Sequence, residues 1–236
     1  SWGYPNISQI SSPAADLHGI ASDSSGNCVA VGKSGTILYS TNGVNWTQVG
    51  AGVPDKDLNS VVWGNGTWVT VADQQTILYS SDGQTWTTAT ISGTTDALYG
   101  VATNGSGTFV AVGTGSNNCA YSTDSGKTWT ISKIMSGSQM YNDIAYNGSD
   151  RWVAVGVGGK IAYSYNAGQT WTDAGPGTTA TFTGIAYGNE KFITVGTINE
   201  SPPVPVMIYS SNGEEISLRY AIEDAIRKRA KRLHKR

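Results

Sequence analysis

The sequence predicts an all-β fold of the propeller type, because one phrase recurs every 40 to 43 residues among abundant glycines and hairpin-turn signals. The chain has 236 residues, of which 30 are glycine and only 14% are charged. Average proteins have about 7% glycine and about 25% charged residues. Strands and tight turns are typically rich in Val, Trp, Thr, Gly and Asn, so the composition excludes a helical bundle for most of the chain.

The repeated phrase occurs four times in full and a fifth time in part. It reads YSTNGVNWT at 39–47, YSSDGQTWT at 79–87, YSTDSGKTWT at 121–130, YSYNAGQTWT at 163–172 and YSSNG at 209–213. Its four tryptophans are separated by 40, 43 and 42 residues. A period of about 40 to 45 residues is typical of a four-stranded propeller blade. The sequence therefore predicts a five-bladed β-propeller over residues 1–213.

Each unit predicts four short strands. In the second unit they are LNSVVW at 58–63, TWVTVA at 67–72, TILYSS at 76–81 and TWTTA at 85–89, and NG or DG marks two of the turns. The fifth unit lacks its fourth strand, while the chain begins SWGYPNI at 1–7. We expect this N-terminal strand to complete the last blade and to close the ring, which would leave no long unpaired edge.

The phrase Ser122-x-Asp124-x-Gly126-x-x-Trp129 resembles the Asp-box, or BNR repeat, although units one and two are one residue shorter. The resemblance implies a structural hairpin in which an Asp or Asn side chain accepts hydrogen bonds from turn amides and the Trp packs beneath it. Repeats of this kind occur in sialidases, other glycosidases and propeller lectins. The resemblance gives structural roles to Asn42, Trp46, Asp82, Trp86, Asp124, Trp129, Asn166, Trp171, Asn212 and Trp2.

The residue inventory argues against an enzyme. The resemblance to sialidases would imply three arginines in the active site, and residues 1–213 contain one. A glycosidase needs two carboxylates facing each other across a cleft. Asp143 alone breaks its local pattern, and we interpret it as a hydrogen-bonded residue of an inner strand. Cys28 and Cys119 predict free thiols rather than a zinc site or a disulfide framework. We expect no catalytic residue, metal or cofactor.

Ligand binding is the favoured function, because a propeller presents several nearly equivalent grooves between its blades. Sugar sites combine aromatic rings with a few orienting polar groups. Two variable positions of the predicted first strands supply such side chains, and this favours a lectin-like module that binds glycans, by fold-level analogy. Aromatic packing between blades, or drift, is the alternative explanation. The candidates are Trp63, Tyr146 and Tyr187 at one position and His18, Asn59, Tyr99 and Asn142 at the other.

The chain changes character after Gly213. Residues 1–213 carry 7 Lys or Arg against 13 Asp or Glu, whereas residues 214–236 carry 8 against 4. The tail begins with acidic residues and ends with basic ones, as the helix dipole favours, and it predicts an α-helix. The apolar residues on one side of this helix are Leu218, Ile222, Ala225, Ile226 and Leu233.

Several functions remain open for this helix. The repeat predicts a tryptophan near position 216, where the chain has Ile216, and this favours an engineered addition. We expect the apolar side to drive homo-oligomerisation or to bind a partner protein. One alternative is a designed scaffold that assembles through the helix and has no natural ligand. The others are binding of nucleic acid or an anionic membrane through the basic residues, and a solvated helix without a partner.

The sequence predicts a soluble chain. It contains no apolar run long enough for a membrane span and no signal peptide. It assigns no cellular location.

Overall fold

The computed structural model describes residues 3, 6–9, 16–50, 52–53, 55–93, 96–135, 137, 139–175, 177–211 and 213. These residues form five β-sheets, and the only helical element among them is a 3-10 turn at Val157–Gly159. The all-β prediction is confirmed for this part of the chain. The predicted helix over 214–236, with Leu218, Ile222, Ala225, Ile226 and Leu233, lies outside the described residues, as do Trp2 and Asn212.

Sheets 1 and 2 come first along the chain. Sheet 1 contains β1 (Asn6–Gln9), β2 (Leu17–Ser22), β3 (Cys28–Gly32), β4 (Thr36–Ser40) and β5 (Asn45–Gly50), in the spatial order β1-β5-β4-β3-β2. Sheet 2 contains β6 (Leu58–Gly64), β7 (Thr67–Ala72), β8 (Ile77–Ser80) and β9 (Thr87–Thr88), in sequential order.

Sheets 3, 4 and 5 repeat the same antiparallel meander. Sheet 3 contains β10 (Thr90–Ser92), β11 (Leu98–Thr103), β12 (Phe109–Gly113), β13 (Cys119–Ser122) and β14 (Thr128–Ser132), in the order β10-β14-β13-β12-β11. Sheet 4 contains β15 (Tyr141–Tyr146), β16 (Trp152–Gly156), β17 (Ile161–Ser164) and β18 (Thr172–Asp173). Sheet 5 contains β19 (Thr181–Gly188), β20 (Lys191–Ile198) and β21 (Val204–Ser210).

The innermost strands β2, β6, β11, β15 and β19 lie side by side in chain order. Apolar side chains fill each of the four spaces between successive sheets. Between sheets 1 and 2, for example, Val29 and Ile37 of one sheet pack with Trp68 of the next. Every central sheet is therefore apolar on both faces, which is why its second strand is a continuous run of buried residues instead of an alternating one.

The turn before each outer strand is held by a recurring set of side-chain hydrogen bonds. In sheet 3 the Asp124 carboxylate accepts from the backbone N–H of Thr128 at 2.9 Å, and the Trp129 indole N–H donates to the carbonyl of Gly126 at 2.9 Å. Asn42, Asp82 and Asn166 accept from turn amides in the same way, and the indoles of Trp46, Trp86 and Trp171 donate to the equivalent glycine carbonyls.

The N-terminal strand lies elsewhere than predicted. β1 pairs in parallel with β5 of sheet 1, with Asn6 opposite Asn45. The prediction that 1–7 completes the last sheet is therefore wrong for residues 6 and 7, and residues 1, 2, 4 and 5 lie outside the described residues. Sheet 3 supplies the reason, because β10 follows the outer strand of sheet 2 and pairs with β14 in the same parallel manner, Thr90 opposite Thr128. A segment that leaves one sheet thus runs along the outer edge of the next.

Candidate functional site

The two predicted sets of binding residues lie at opposite ends of the innermost strands. Trp63, Tyr146 and Tyr187 lie at or next to the C-terminal ends of β6, β15 and β19, whereas Asn59 and Tyr99 are the second residues of β6 and β11. The two positions are four residues apart along the strand, which is about 13 Å at about 3.3 Å per residue. The structure therefore does not bring the two sets into one site. We call the end of the sheets that carries Asn59 and Tyr99 the entry rim.

The aromatic set packs against its own sheets. The ring centroids of Tyr146 and Trp152 are 4.5 Å apart, and those of Tyr187 and Phe192 are 4.8 Å apart. Trp63 lies opposite Trp68 in the pairing of β6 with β7 and contacts the core between sheets 1 and 2. These are cross-strand pairs of the kind that stabilise antiparallel sheets.

The second set coincides with a β-bulge in every sheet. The pairing register of each innermost strand with its neighbour shifts at the second residue of β2, β6, β11 and β15, and at the equivalent position in β19. A bulge leaves one residue unpaired and redirects its side chain. The redirected residues are His18, Asn59, Tyr99, Asn142 and Thr183.

Three of these side chains connect one sheet to the next. The Asn59 amide donates to the carbonyl of Leu98 at 2.8 Å, and the Asn142 amide donates to the carbonyl of Phe182 at 2.6 Å. His18 Nδ1 lies 3.1 Å from the carbonyl oxygen of Leu58 and donates to it. These contacts join neighbouring innermost strands across the spaces between sheets 1 and 2, 2 and 3, and 4 and 5.

Tyr99 instead lines a cavity of about 400 Å³ between sheets 2 and 3. The remaining walls come from Asp73, Gln74 and Gln75, in the loop after β7, and from Asp96 and Ala97, before β11. The volume lies within the range of about 300–1,000 Å³ typical of small-molecule sites. An aromatic ring, two amides and two carboxylates therefore converge on one opening at the entry rim.

Two carboxylates of the cavity wall, Asp73 and Asp96, lie near one cation, because the Lys56 ammonium donates to Gln74 Oε1. Burial raises the pKa of Tyr99 above its ordinary value, and the negative charges of Asp73 and Asp96 raise it further. The Tyr99 hydroxyl is therefore a neutral hydrogen-bond donor at physiological pH. Asp73 Oδ1 also accepts from the Asn59 amide at 3.0 Å, so the sheet-to-sheet contact of Asn59 positions one wall of the cavity.

The turn that carries the two glutamines is strained. Gln74 and Gln75 both have positive φ, of 52° and 61°. The equivalent turns of sheets 1 and 4 use Ser34–Gly35 and Gly158–Gly159 at these left-handed positions. Glycine adopts this conformation without strain, whereas other residues pay of order 1–3 kcal/mol. Sheet 2 thus keeps two long amide side chains at a turn where backbone energetics favour glycine.

The other side chains considered for a chemical role are Asp143, Cys28 and Cys119. Both carboxylate oxygens of Asp143 accept backbone hydrogen bonds, from Ile144 at 2.8 Å and from Ile185 of the next sheet at 2.9 Å. Burial raises the pKa of Asp143, although these two bonds oppose the rise. Cys28 and Cys119 are free thiols. Within the described ranges, no three His, Cys, Asp or Glu side chains are grouped closely enough to hold a metal ion, and no helix could span a bilayer.

Radially arranged meander sheets, with their innermost strands side by side, define the chain as a β-propeller domain. The chain belongs to the family described as the DUF6242 beta propeller domain, whose model matches residues 14–138, just over half of the sequence. No curated protein sequence matches the chain.

Solved structures with the same fold have low sequence identity to the chain. It is 15% identical to YCF48 bound to D1 peptide, with a TM-score of 0.64 over 86% of this chain and 66% of that one. A catalytically inactive virginiamycin B lyase from Staphylococcus aureus with quinupristin is 14% identical, with a TM-score of 0.74 over 89% of this chain and 71% of that one. The Niastella koreensis GH74 enzyme is 21% identical, with a TM-score of 0.61 over 85% of this chain and 31% of that one.

Of the residues that line the cavity, only Tyr99 was among the candidates predicted from the sequence. The available signal was the pair Gln74–Gln75, which replaces the Ser-Gly and Gly-Gly of the equivalent turns. Asp73 and Asp96 gave no signal of their own, because acidic residues beside turns are common and these two belong to different repeat units.

Proposed function

We propose that the chain is a five-bladed, non-catalytic Asp-box propeller that binds carbohydrate in the cavity between sheets 2 and 3. The observation that carries this proposal is the convergence of Tyr99 with Gln74, Gln75, Asp73 and Asp96 around about 400 Å³. A tyrosine ring can stack on the apolar face of a sugar, while amides donate to and accept from its hydroxyls and carboxylates accept from them. The recurring turn hydrogen bonds and the five sheets support the Asp-box and five-blade parts of the proposal.

The strained turn is a further argument for a binding role. Glycine at positions 74 and 75, as at the equivalent turn of sheet 4, would relieve the backbone strain. Retaining glutamine there costs free energy, and strain of this kind clusters at ligand sites.

The test is a glycan array followed by affinity measurements on any sugar that binds. Tyr99→Ala should weaken binding at least tenfold, because the stacking surface is lost. The double variant Gln74→Gly, Gln75→Gly should lose binding as well, yet its free energy of unfolding should stay the same or rise, because the strain is relieved. This combination separates a ligand-binding role from a structural one.

A matched control uses the other pair of non-glycine residues with positive φ. Asn189 and Glu190 have φ of 49° and 57° and lie in the turn between β19 and β20, away from the cavity. The variant Asn189→Gly, Glu190→Gly should leave sugar binding unchanged. A silent array, or equal losses in both double variants, contradicts carbohydrate binding in this cavity. Hydrolysis of a bound glycan would contradict the non-catalytic part.

A protein or peptide partner at the same rim is a second candidate. YCF48, a structural neighbour, was solved with a bound peptide. The carboxylates of Asp73 and Asp96 would suit a Lys or Arg side chain of such a partner. Binding of a basic peptide that Tyr99→Ala abolishes, together with a silent glycan array, would favour this candidate.

We also propose that residues 214–236 promote assembly through the apolar side predicted from the sequence. The supporting observation is that Leu218, Ile222 and Leu233 share one side of the predicted helix, a stripe that Arg229 interrupts. The molecular mass in solution, measured with and without 214–236, tests this. An unchanged mass would contradict it, and retention on heparin that fades with salt would favour the polyanion alternative.

A further inference from the structure

The two end sheets expose apolar faces that are buried everywhere else in the propeller. On sheet 5, Ile193, Val195, Met207 and Tyr209 are exposed, with Met207 exposed by 58%. Their equivalents in sheet 2 are Val69, Val71, Ile77 and Tyr79, which pack against the innermost and second strands of sheet 3. We call the exposed surface of sheet 5 the trailing face.

Sheet 1 exposes the complementary surface. Leu17 and Ile20 of β2 are exposed by 50% and 66%. The equivalents of Ile20 in the next sheets, Val61 and Val101, are buried against the preceding sheet. We call this surface the leading face. Between each pair of successive sheets, the face equivalent to the trailing face packs on the face equivalent to the leading face. The two exposed surfaces therefore have the shape and chemistry to pack on each other.

The outer edge of sheet 5 is unmatched as well. Of the described strands, only β20 pairs with β21, so sheet 5 lacks the fourth strand that sheets 2 and 4 have. In sheets 1 and 3 the outer edge is covered by a parallel strand, β1 in one and β10 in the other, with Asn6 opposite Asn45 and Thr90 opposite Thr128.

We propose that sheet 5 of a second copy of the chain packs on sheet 1. Both faces are exposed within a single copy, so they do not pack on each other there. In the proposed head-to-tail joint, the leading face of one copy packs on the trailing face of the next. Contacts of this heterologous type form rings when the rotation closes and open chains when it does not.

The first experiment measures the molecular mass of the full chain as a function of concentration. We expect association, and we expect Met207→Glu to weaken it at least tenfold, because a charge would be buried in the joint. The matched control is Val44→Glu, which changes an apolar residue exposed by 54% in a turn at the far end of sheet 1. A monomer at all concentrations, or equal effects of both variants, would overturn the proposal.

The second experiment distinguishes a joint between copies from closure within one copy. In a Cys28→Ser background, Ile20→Cys and Met207→Cys are combined and the protein is oxidised. The equivalent residues Ile37 and Val61 share one apolar cluster, so the two new thiols should meet across the joint. We expect disulfide-linked dimers or higher species, and none when Val44→Cys replaces Ile20→Cys. A disulfide formed within monomers would overturn the proposal in favour of a ring closed by one chain.

Discussion

The trailing face of sheet 5 and the equivalent face of sheet 2 have the same pattern of apolar residues, but one is exposed and the other is buried. In sheet 2 the face is Val69, Val71, Ile77 and Tyr79 and lies against sheet 3, whereas in sheet 5 it is Ile193, Val195, Met207 and Tyr209 and lies in solvent. The comparison shows that the repeat gives both faces the same kind of apolar residues. Whether another sheet covers these residues depends on the position of their sheet in the chain. An exposed apolar patch of this kind is typical of an interaction surface.

The largest difference should come from the same substitution at the two equivalent positions. Ile77→Ala removes a fully buried side chain and should lower the free energy of unfolding by about 2–5 kcal/mol. Met207→Ala removes an exposed one and should change it by about 0.5 kcal/mol or less in dilute protein. Urea denaturation of both variants measures the difference, and similar losses would show that the face of sheet 5 is already covered in a single copy.

A substitution that crowds the backbone at the entry rim should have a smaller effect on stability. A Cβ on Gly113 would lie 1.9 Å from the carbonyl oxygen of Ala97, so Gly113→Ala should cost about 1–3 kcal/mol through overpacking. Sheet 2 has Ala72 at the equivalent position, so Ala72→Gly should be the milder change. Thermal unfolding of both variants measures this, and a harmless Gly113→Ala would mean that the β10–β11 connection can move away.

The acidic residues of the turns and of the innermost strands should respond to pH in opposite directions. Burial tends to raise the pKa of Asp124, but hydrogen bonds from Thr128 and Ser122 outweigh it, so its pKa lies below the ordinary value of 3.8. Its contribution to stability is therefore complete above the ordinary value and is lost as the pH falls through the lowered one.

The pKa of Asp143 shifts in the opposite direction to that of Asp124. Burial raises its folded-state pKa, so its contribution is largest at low pH and is lost as the pH rises from its ordinary value through the raised one. We expect Asp124→Asn to reduce the loss of stability in acid, and Asp143→Asn to remove a stabilisation that appears as the pH is lowered. Denaturation midpoints of both variants between pH 3 and pH 7 measure the two slopes, and slopes of the same sign would contradict this assignment.

Chemical labelling compares the two thiols without a substitution and should perturb the fold least. Burial between sheets 3 and 4 raises the pKa of Cys119 to about 12, whereas Cys28 is partly exposed at the start of β3. A thiol reagent at pH 8 should therefore modify one cysteine of the folded chain and both after denaturation. Rapid modification of Cys119 in the folded chain would indicate opening of the joint between sheets 3 and 4.

Most of the fold could be predicted from the sequence because the repeat is local. The hydrogen bonds of the turns join residues three positions apart, as Trp86 donates to Gly83 and Trp129 to Gly126, and the antiparallel strands of each sheet pair with the next strand along the chain. The position of the N-terminal strand could not be predicted in this way. The connecting segment runs along the next sheet, as β10 does, and its pairing with β14 depends on a strand almost 40 residues away.

The candidate site was harder to predict than the fold. Bulges in the innermost strands redirect Asn59 and Tyr99 towards the spaces between sheets, and the sequence carries no sign of a bulge. The same position therefore holds a sheet-to-sheet contact in one unit and a cavity wall in the next. Only the glutamines at positive φ departed from the repeat in a way that a sequence comparison between units could have detected.

The most direct test of the proposed joint between copies is amide hydrogen exchange of β20 and β21 at low and high protein concentration. If a second copy covers the trailing face, protection of these amides should increase with concentration while the amides of β7 and β8 stay equally protected. Protection of β20 and β21 that matches β7 and β8 at every concentration would contradict the account, because it would mean that a single chain already buries this face.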